Sequence, residues 1–233
     1  MSDYPRYAIY YAPPPGSDLD RFGRELLGYD AYAGADRPFP ATLGMPDWHA
    51  LTHAPRKYGF HGTLKAPFSL APDKTEAELL DACESVARKT RAIPRIKPVV
   101  GSIDGFIAVI PEESCAELER LAADCVREFD MFRAPLKPED RERRKPSKLT
   151  SRQREHLDLW GYPYVMEDFR FHMTLTGRLD PERRKAVIAM LRGRFSALGL
   201  DSLSIDRIAL FRQDDAHSRF RIVGHHAIHG LPD

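Results

Sequence analysis

Phe60-His61-Gly62-Thr63-Leu64 and Phe171-His172-Met173-Thr174-Leu175 are the same pentapeptide, FHxTL, written twice in one chain with the histidines 111 positions apart. In a β-strand alternate side chains share a face, so His61 and Thr63 point one way and Phe60 and Leu64 the other. His172 and Thr174 oppose Phe171, Met173 and Leu175 in the same manner. The polar pair requires a cleft and the apolar set requires a core. Carried further, the alternation puts Lys57 and Lys65 on the His61 face and Arg170, Thr176 and Arg178 on the His172 face, which sets cations beside both imidazoles. Tyr58 falls on the core side of a regular strand, or on the cleft side if Gly59 breaks it with a bulge.

Each motif has the same surroundings. Strand character at 56–70 leads into a helix over about 75–89, with Leu79, Leu80, Cys83, Val86 and Ala87 inward. Two strands follow, IKPVV and SIDGFIAVI, joined near Gly101, and then a helix over about 114–129. The second motif lies in YVMEDFRFHMTLTGRL, read as a strand. A helix capped by Asp180 with Pro181 at its first position comes next, then two strands, LSIDRIALF and FRIVGHHAI. A strand carrying H-x-T, a helix and a strand pair thus occur once in each half, the mark of a duplicated unit. Ahead of the first motif, RYAIYYA (6–12) reads as a strand closed by PPPG, and SDLDRFGRELLG (17–28) as a helix with start and stop signals. The proline-rich stretch from Tyr29 to Pro55 reads as a long loop, anchored to the body by its aromatics Trp48, His49 and His53. Tyr7, Tyr10 and Tyr11 on the first strand serve either the core or a stacking surface. Residues 131–164 form a connector or flap that holds the charge run RERRKPSK (141–148) and a short capped helix, SRQREHLDLWG.

Composition narrows the classes. The chain has 233 residues, 42% of them apolar and 30% charged, enough for a sizeable core. Its 35 Lys and Arg balance 34 Asp and Glu, so no global field draws it to nucleic acid or to an anionic membrane, and any phosphate recognition is local. No apolar stretch resembles a membrane span, and MSDYPRYAIYYAPPPG does not read as a secretory signal, so a cytoplasmic location is expected. Three unpatterned cysteines, Cys83, Cys115 and Cys125, fit buried thiols.

Two imidazoles flanking one space can do acid–base work: one, neutral, takes a proton from water, and the other, protonated, gives one to a leaving alkoxide. Hydroxyls from Thr63 and Thr174 supply donors for phosphate oxygens. No HExxH, HxxxH or paired CxxC accompanies these histidines, so no metal and no cofactor are expected. His225, His226 and His229 make HHxxH on a terminal strand without a nearby carboxylate, and a structural or exposed role is expected for them.

Paired H-x-[ST]-hydrophobic motifs on a duplicated α+β scaffold resemble the two-histidine (2H) phosphoesterase superfamily, which includes the 2′-5′ RNA ligase-like proteins and cyclic nucleotide phosphodiesterases. The resemblance implies catalytic acid–base roles for His61 and His172 and phosphate binding by Thr63 and Thr174. Lys57, Tyr58, Lys65 and Arg170 are further candidates for substrate binding. KYGFHGTLKAPF (57–68) with LTSRQREHLDLWGYPYV (149–165) is similar to a narrower branch encoded with phosphonate-degradation (carbon–phosphorus lyase) genes. That likeness spans most of the chain and implies a sugar cyclic phosphate substrate, such as a phosphoribosyl cyclic phosphate. The long spacing between the histidines, whose excess sits at 131–164, points to a cleft narrowed against long RNA.

The expected fold is therefore α+β: one bilobal domain over 1–233 with pseudo-twofold symmetry, two antiparallel sheets facing a central cleft and helices outside. Lobe one covers about 1–130, an insert or flap about 131–164 and lobe two about 165–233, with strands exchanged between lobes. The expected activity is metal-independent hydrolysis of a cyclic phosphodiester of a sugar or nucleotide, with a small-molecule partner and no obligate protein partner. The competing readings are a nucleotide or RNA phosphate-binding module that grips through Arg143, Arg144 and Lys145, and 2′-5′ RNA ligase-like activity.

Overall fold

Alternation sorts the first strand into two faces. β1 (Arg6–Tyr11) buries Tyr7, Ile9 and Tyr11 in the main core, while Ala8 and Tyr10 join Ala209, Phe211, Phe220 and Tyr29 in a smaller cluster on the opposite face. In the computed structural model, which describes residues 4–231, β1 pairs on one side with β2 (Gly62–Ser69). Further along the chain come the hairpin β3 (Pro98–Ile103) and β4 (Phe106–Pro111), the short β5 (Met173–Thr174), and the pair β6 (Arg207–Gln213) and β7 (Arg221–Ala227). Together they form one antiparallel sheet of order β7-β6-β1-β2-β5-β4-β3. The late strand β6 thus pairs with β1, with β7 outside it, and the earlier strand β4 pairs with β5, with β3 outside it.

The fold is α+β. Its antiparallel sheet has two halves, β7-β6-β1-β2 and β5-β4-β3, and these meet at a single residue pair, Gly62 with Met173. Five longer helices are α1 (Asp18–Leu27), α2 (Glu76–Arg88), α3 (Ala116–Glu128), α4 (Ser151–Trp160) and α5 (Pro181–Ser196). Their starts follow from local chemistry. Ser17 and Asp180 cap α1 and α5 with side-chain oxygens, and Thr75 with Glu78 and Thr150 with Gln153 close reciprocal capping boxes on α2 and α4, each worth about 1 kcal/mol. Among these, α2 packs on β6 and β7, α3 on β2, and α5 on β3 and β4. The opposite face near the seam carries the polar side chains of both motifs. No helix among the described residues is long and apolar enough to cross a membrane.

Several expectations need correction. The β3–β4 turn is Asp104-Gly105, both residues at positive φ (47° and 92°), as a tight two-residue hairpin requires, and not near Gly101. Gly101 lies inside β3, where a Cβ would come within 2.4 Å of Ile110. Strand structure begins at 62 rather than 56, because His53–Arg56 is a helical turn and Gly59 adopts φ 74°. The second motif keeps only two residues in the ladder. Leu175 and Thr176 both donate their amides to the Ile107 carbonyl (2.8 and 3.2 Å), and Thr176 Oγ1 accepts from the Ile107 amide at 3.1 Å. A side chain thus replaces a backbone partner there and ends the strand. The stretch 29–55 holds short elements of its own, and Trp48, 2% exposed, anchors it by donating Nε1–H to the Leu26 carbonyl at 2.7 Å.

Candidate active site

The Gly62–Met173 pair is antiparallel, so counting outward from it sets Thr63 opposite His172 and His61 opposite Thr174. Each histidine therefore has the other motif's threonine across the seam. The imidazoles are held alike. His61 Nδ1 lies 2.9 Å from the Gly59 carbonyl, and His172 Nδ1 lies 2.7 Å from the Arg170 carbonyl. A carbonyl only accepts, so in each ring the proton sits on Nδ1 and Nε2 is left for chemistry.

The seam tolerates no side chain at Gly62. A Cβ there would fall 2.4 Å from the Phe171 ring, so the variable position of the first motif is small because the phenylalanine of the second motif fills it.

Surroundings separate the two histidines. His61 stacks on Tyr10 with ring centroids 3.8 Å apart and planes at 21°, with Tyr58 at 6.1 Å and Phe211 at 5.9 Å. Burial pushes its imidazole down to about 4; the Gly59 carbonyl opposes that shift and the His172 charge adds to it. His172, 5.4 Å from the Phe106 ring, is also lowered by burial, but the Arg170 carbonyl and the Asp104 carboxylate both act to raise it. His172 and Thr63 line a cavity of about 390 Å³ together with Asp104, Tyr162, Arg170 and Arg178. The two arginines are exposed, so their guanidinium groups edge the opening.

The remaining candidates divide. Tyr58 lies on the cleft side, stacked on Phe220 at 5.2 Å, because left-handed Gly59 turns the chain. Lys57 sits beside it, with Nζ donating to the Ala216 carbonyl at 3.0 Å. Lys65 does not reach the cleft, contrary to the alternation argument. Register shifts along the β1–β2 pair place Thr63 opposite Tyr10 but Lys65 opposite Ile9, on the core face. There Lys65 is 3% exposed, and its Nζ donates to the Val126 carbonyl at 2.9 Å and pairs with Asp130 at 3.1 Å. Thr176 is fully buried and serves the sheet edge rather than the cleft. His225 Nε2 meets the Tyr32 hydroxyl at 3.1 Å, and His229 is exposed. Among the described residues, no group of three or more His, Cys, Asp or Glu side chains is placed to hold a metal ion.

Sequence reasoning passed over Asp104 and Tyr162 and left Tyr10 undecided. The Asp-Gly dipeptide carried a turn signal for the first, and odd–even alternation within RYAIYY would have assigned the last once one neighbour was known to be core.

Residues 63–221 match a family model described as a protein of unknown function, DUF1045. This chain is a member of the DUF1045 family. Two curated relatives, each called ribose 1,5-bisphosphate phosphokinase PhnN, come from Laribacter hongkongensis (strain HLHK9) and Janthinobacterium sp. (strain Marseille). The first is 31% identical over 217 residues, covering 93% of this chain and 50% of the relative; the second is 32% identical over 215 residues, covering 90% and 48%. The chain thus spans about half the length of the curated relatives it matches. It contains no G-x-x-x-x-G-K-[ST] phosphate loop. Among solved structures, E. coli LigT complexed with NADP+ is similar at 14% identity and a TM-score of 0.43, covering 98% of this chain and 99% of that one.

Proposed function

We propose that the cleft hydrolyses a cyclic phosphodiester of a small sugar or nucleotide by paired-histidine acid–base catalysis. The observation that carries this reading is the symmetric presentation of the two imidazoles: each Nδ1 is tied to the carbonyl two residues upstream, and each ring lies opposite a threonine. The DUF1045 proteins are, on this reading, a branch of the two-histidine phosphoesterases that the paired motifs resemble.

In this scheme a water oxygen attacks phosphorus while His61 Nε2 takes its proton. The bond from phosphorus to one ring oxygen breaks, and His172 Nε2–H protonates the departing alkoxide. The products are a phosphomonoester and a free hydroxyl. We assign the roles from environment: burial lowers both imidazoles, and at His61, stacked on Tyr10, the His172 charge lowers it further, whereas at His172 the Asp104 carboxylate acts in the opposite direction. Thr63 and Thr174 hydroxyls donate to the non-bridging oxygens as charge develops on them. Arg170 and Arg178 draw the anion to the mouth of the cavity. The pentose bisphosphate in the relatives' name supports a phosphorylated pentose as the sugar, of which a phosphoribosyl cyclic phosphate is one example.

The test is phosphorus NMR of EDTA-treated protein incubated with 2′,3′-cyclic nucleotides and with a phosphoribosyl cyclic phosphate. Wild type opens one of these rings, and His61→Ala and His172→Ala each lower kcat by about 10²–10⁴-fold. Unchanged turnover in His172→Ala rules the scheme out.

A further inference from the structure

A second cavity, of about 250 Å³, lies on the same face of the sheet as the motif residues, further along β2 and beneath the connector. Its walls include Arg6, Arg133, Lys137, Arg143 and Arg144, against a single carboxylate, Asp140. Arg133 is committed to Asp130, and Arg143 pairs with Asp140. Arg6 and Arg144 have no ion pair among the described residues. Arg6 instead donates to the neutral Gln213 amide oxygen at 3.0 Å, and Arg144 lies 5.0 Å above the Tyr162 ring. Lys57 adds a third cation close by, and burial together with the Arg6 charge lowers its ammonium. Gathering positive charge without counter-charge is unfavourable unless an anion joins it.

Two tyrosines connect this cavity to the histidines. Tyr58 lines it, and its ring lies 6.1 Å from that of His61. Tyr162, held under Arg144, lines the cavity that contains His172 and Thr63. The His172 cavity has cations of its own, Arg170 and Arg178 with Asp104 beside them, and the Asp168 carboxylate on its wall is taken by Arg152, so each cavity is fitted for an anion. We propose that the second cavity is an anion subsite that takes a phosphomonoester carried by the same substrate whose cyclic diester lies between His61 and His172. This inference rests on the cyclic-diester reading above, and it makes the enzyme selective for substrates with two phosphate groups. The connector at 131–164, which supplies four of the five basic residues, is then the specificity element.

The experiment compares kcat/KM for two cyclic phosphates of ribose that differ only by a 5-phosphate. Wild type prefers the phosphorylated compound by about tenfold or more, the worth of one or two charge-assisted hydrogen bonds. Arg144→Ala and Arg6→Ala each reduce that preference through KM, and Arg144→Lys keeps part of it. Equal kcat/KM for the pair in wild type, or variants that lower both compounds alike, overturns the proposal. A second arm needs no turnover: ribose 5-phosphate is titrated calorimetrically into the His61→Ala/His172→Ala protein. Binding that weakens about tenfold on adding Arg144→Ala upholds the anion subsite even if no cyclic phosphate is opened, in which case only the hydrolase reading falls. Binding indifferent to Arg144 and Arg6, or no binding at all, removes the subsite.

Discussion

The two FHxTL motifs share four of five residues, yet the fold gives them different neighbours. At the first, His61 is stacked on Tyr10 and surrounded by aromatic rings, and the charge that acts on it is that of His172. At the second, His172 borders an open cavity with Asp104 on its rim. The variable residue differs for a related reason: Gly62 leaves room for Phe171, whereas Met173 fills the core at the corresponding place, fully buried. A duplicated motif therefore supplies symmetric hydrogen bonding, and unequal packing around it sets the two imidazoles in different electrostatic surroundings.

Making the motifs identical is the most disruptive way to break this comparison. Gly62→Met drives a side chain into the Phe171 ring, and we expect about 1–3 kcal/mol of destabilisation and loss of turnover as the seam opens, read by urea denaturation and the phosphorus NMR assay. Met173→Gly errs the other way, leaving a void that costs about 2–5 kcal/mol. Removing the hydroxyls is the next largest perturbation: Thr63→Val and Thr174→Val each lower kcat by about tenfold to a thousandfold with the fold intact, and a loss confined to KM contradicts their proposed role.

The inequality of the histidines shows in pH. His61 is neutral in the folded protein above about pH 4 but titrates near 6.5 when unfolded. Between these values the unfolded chain binds the extra proton, so stability is fully present above pH 6.5 and falls as pH drops towards 4. Denaturation curves at pH 7 and pH 5 show that loss, and His61→Gln flattens it. Tyr10→Leu removes the stacked ring and admits water, raising the His61 pKa by about one unit in an NMR titration, while Phe106→Leu leaves it in place. The smallest effect belongs to Lys65→Met. Asp130 keeps its Arg133 partner, so stability changes by less than about 1 kcal/mol and kcat/KM stays within about threefold; a larger loss of activity returns Lys65 to the cleft.

The histidines, the threonines and the order of strands and helices were legible because periodicity and a repeated motif are local properties. Lys65 was misread because alternation holds only for an unbroken strand, and the bulges in β2 depend on how β1 lies beside it. Asp104 carried a turn signal but no functional one, since only the pairing of β4 with β5 brings its hairpin to His172. The charge run at 141–148 showed its sign but not its target.

By itself, the sequence determined that two like strands would each turn a histidine and a threonine away from an apolar face, because alternation along a strand is a property of the backbone. Only the tertiary structure decided that these strands meet at one residue pair, that Tyr10 covers one imidazole while Asp104 borders the other, and that Arg144 lies over Tyr162. Those contacts join residues far apart in the chain, and their energies come from packing and desolvation, which no single segment specifies.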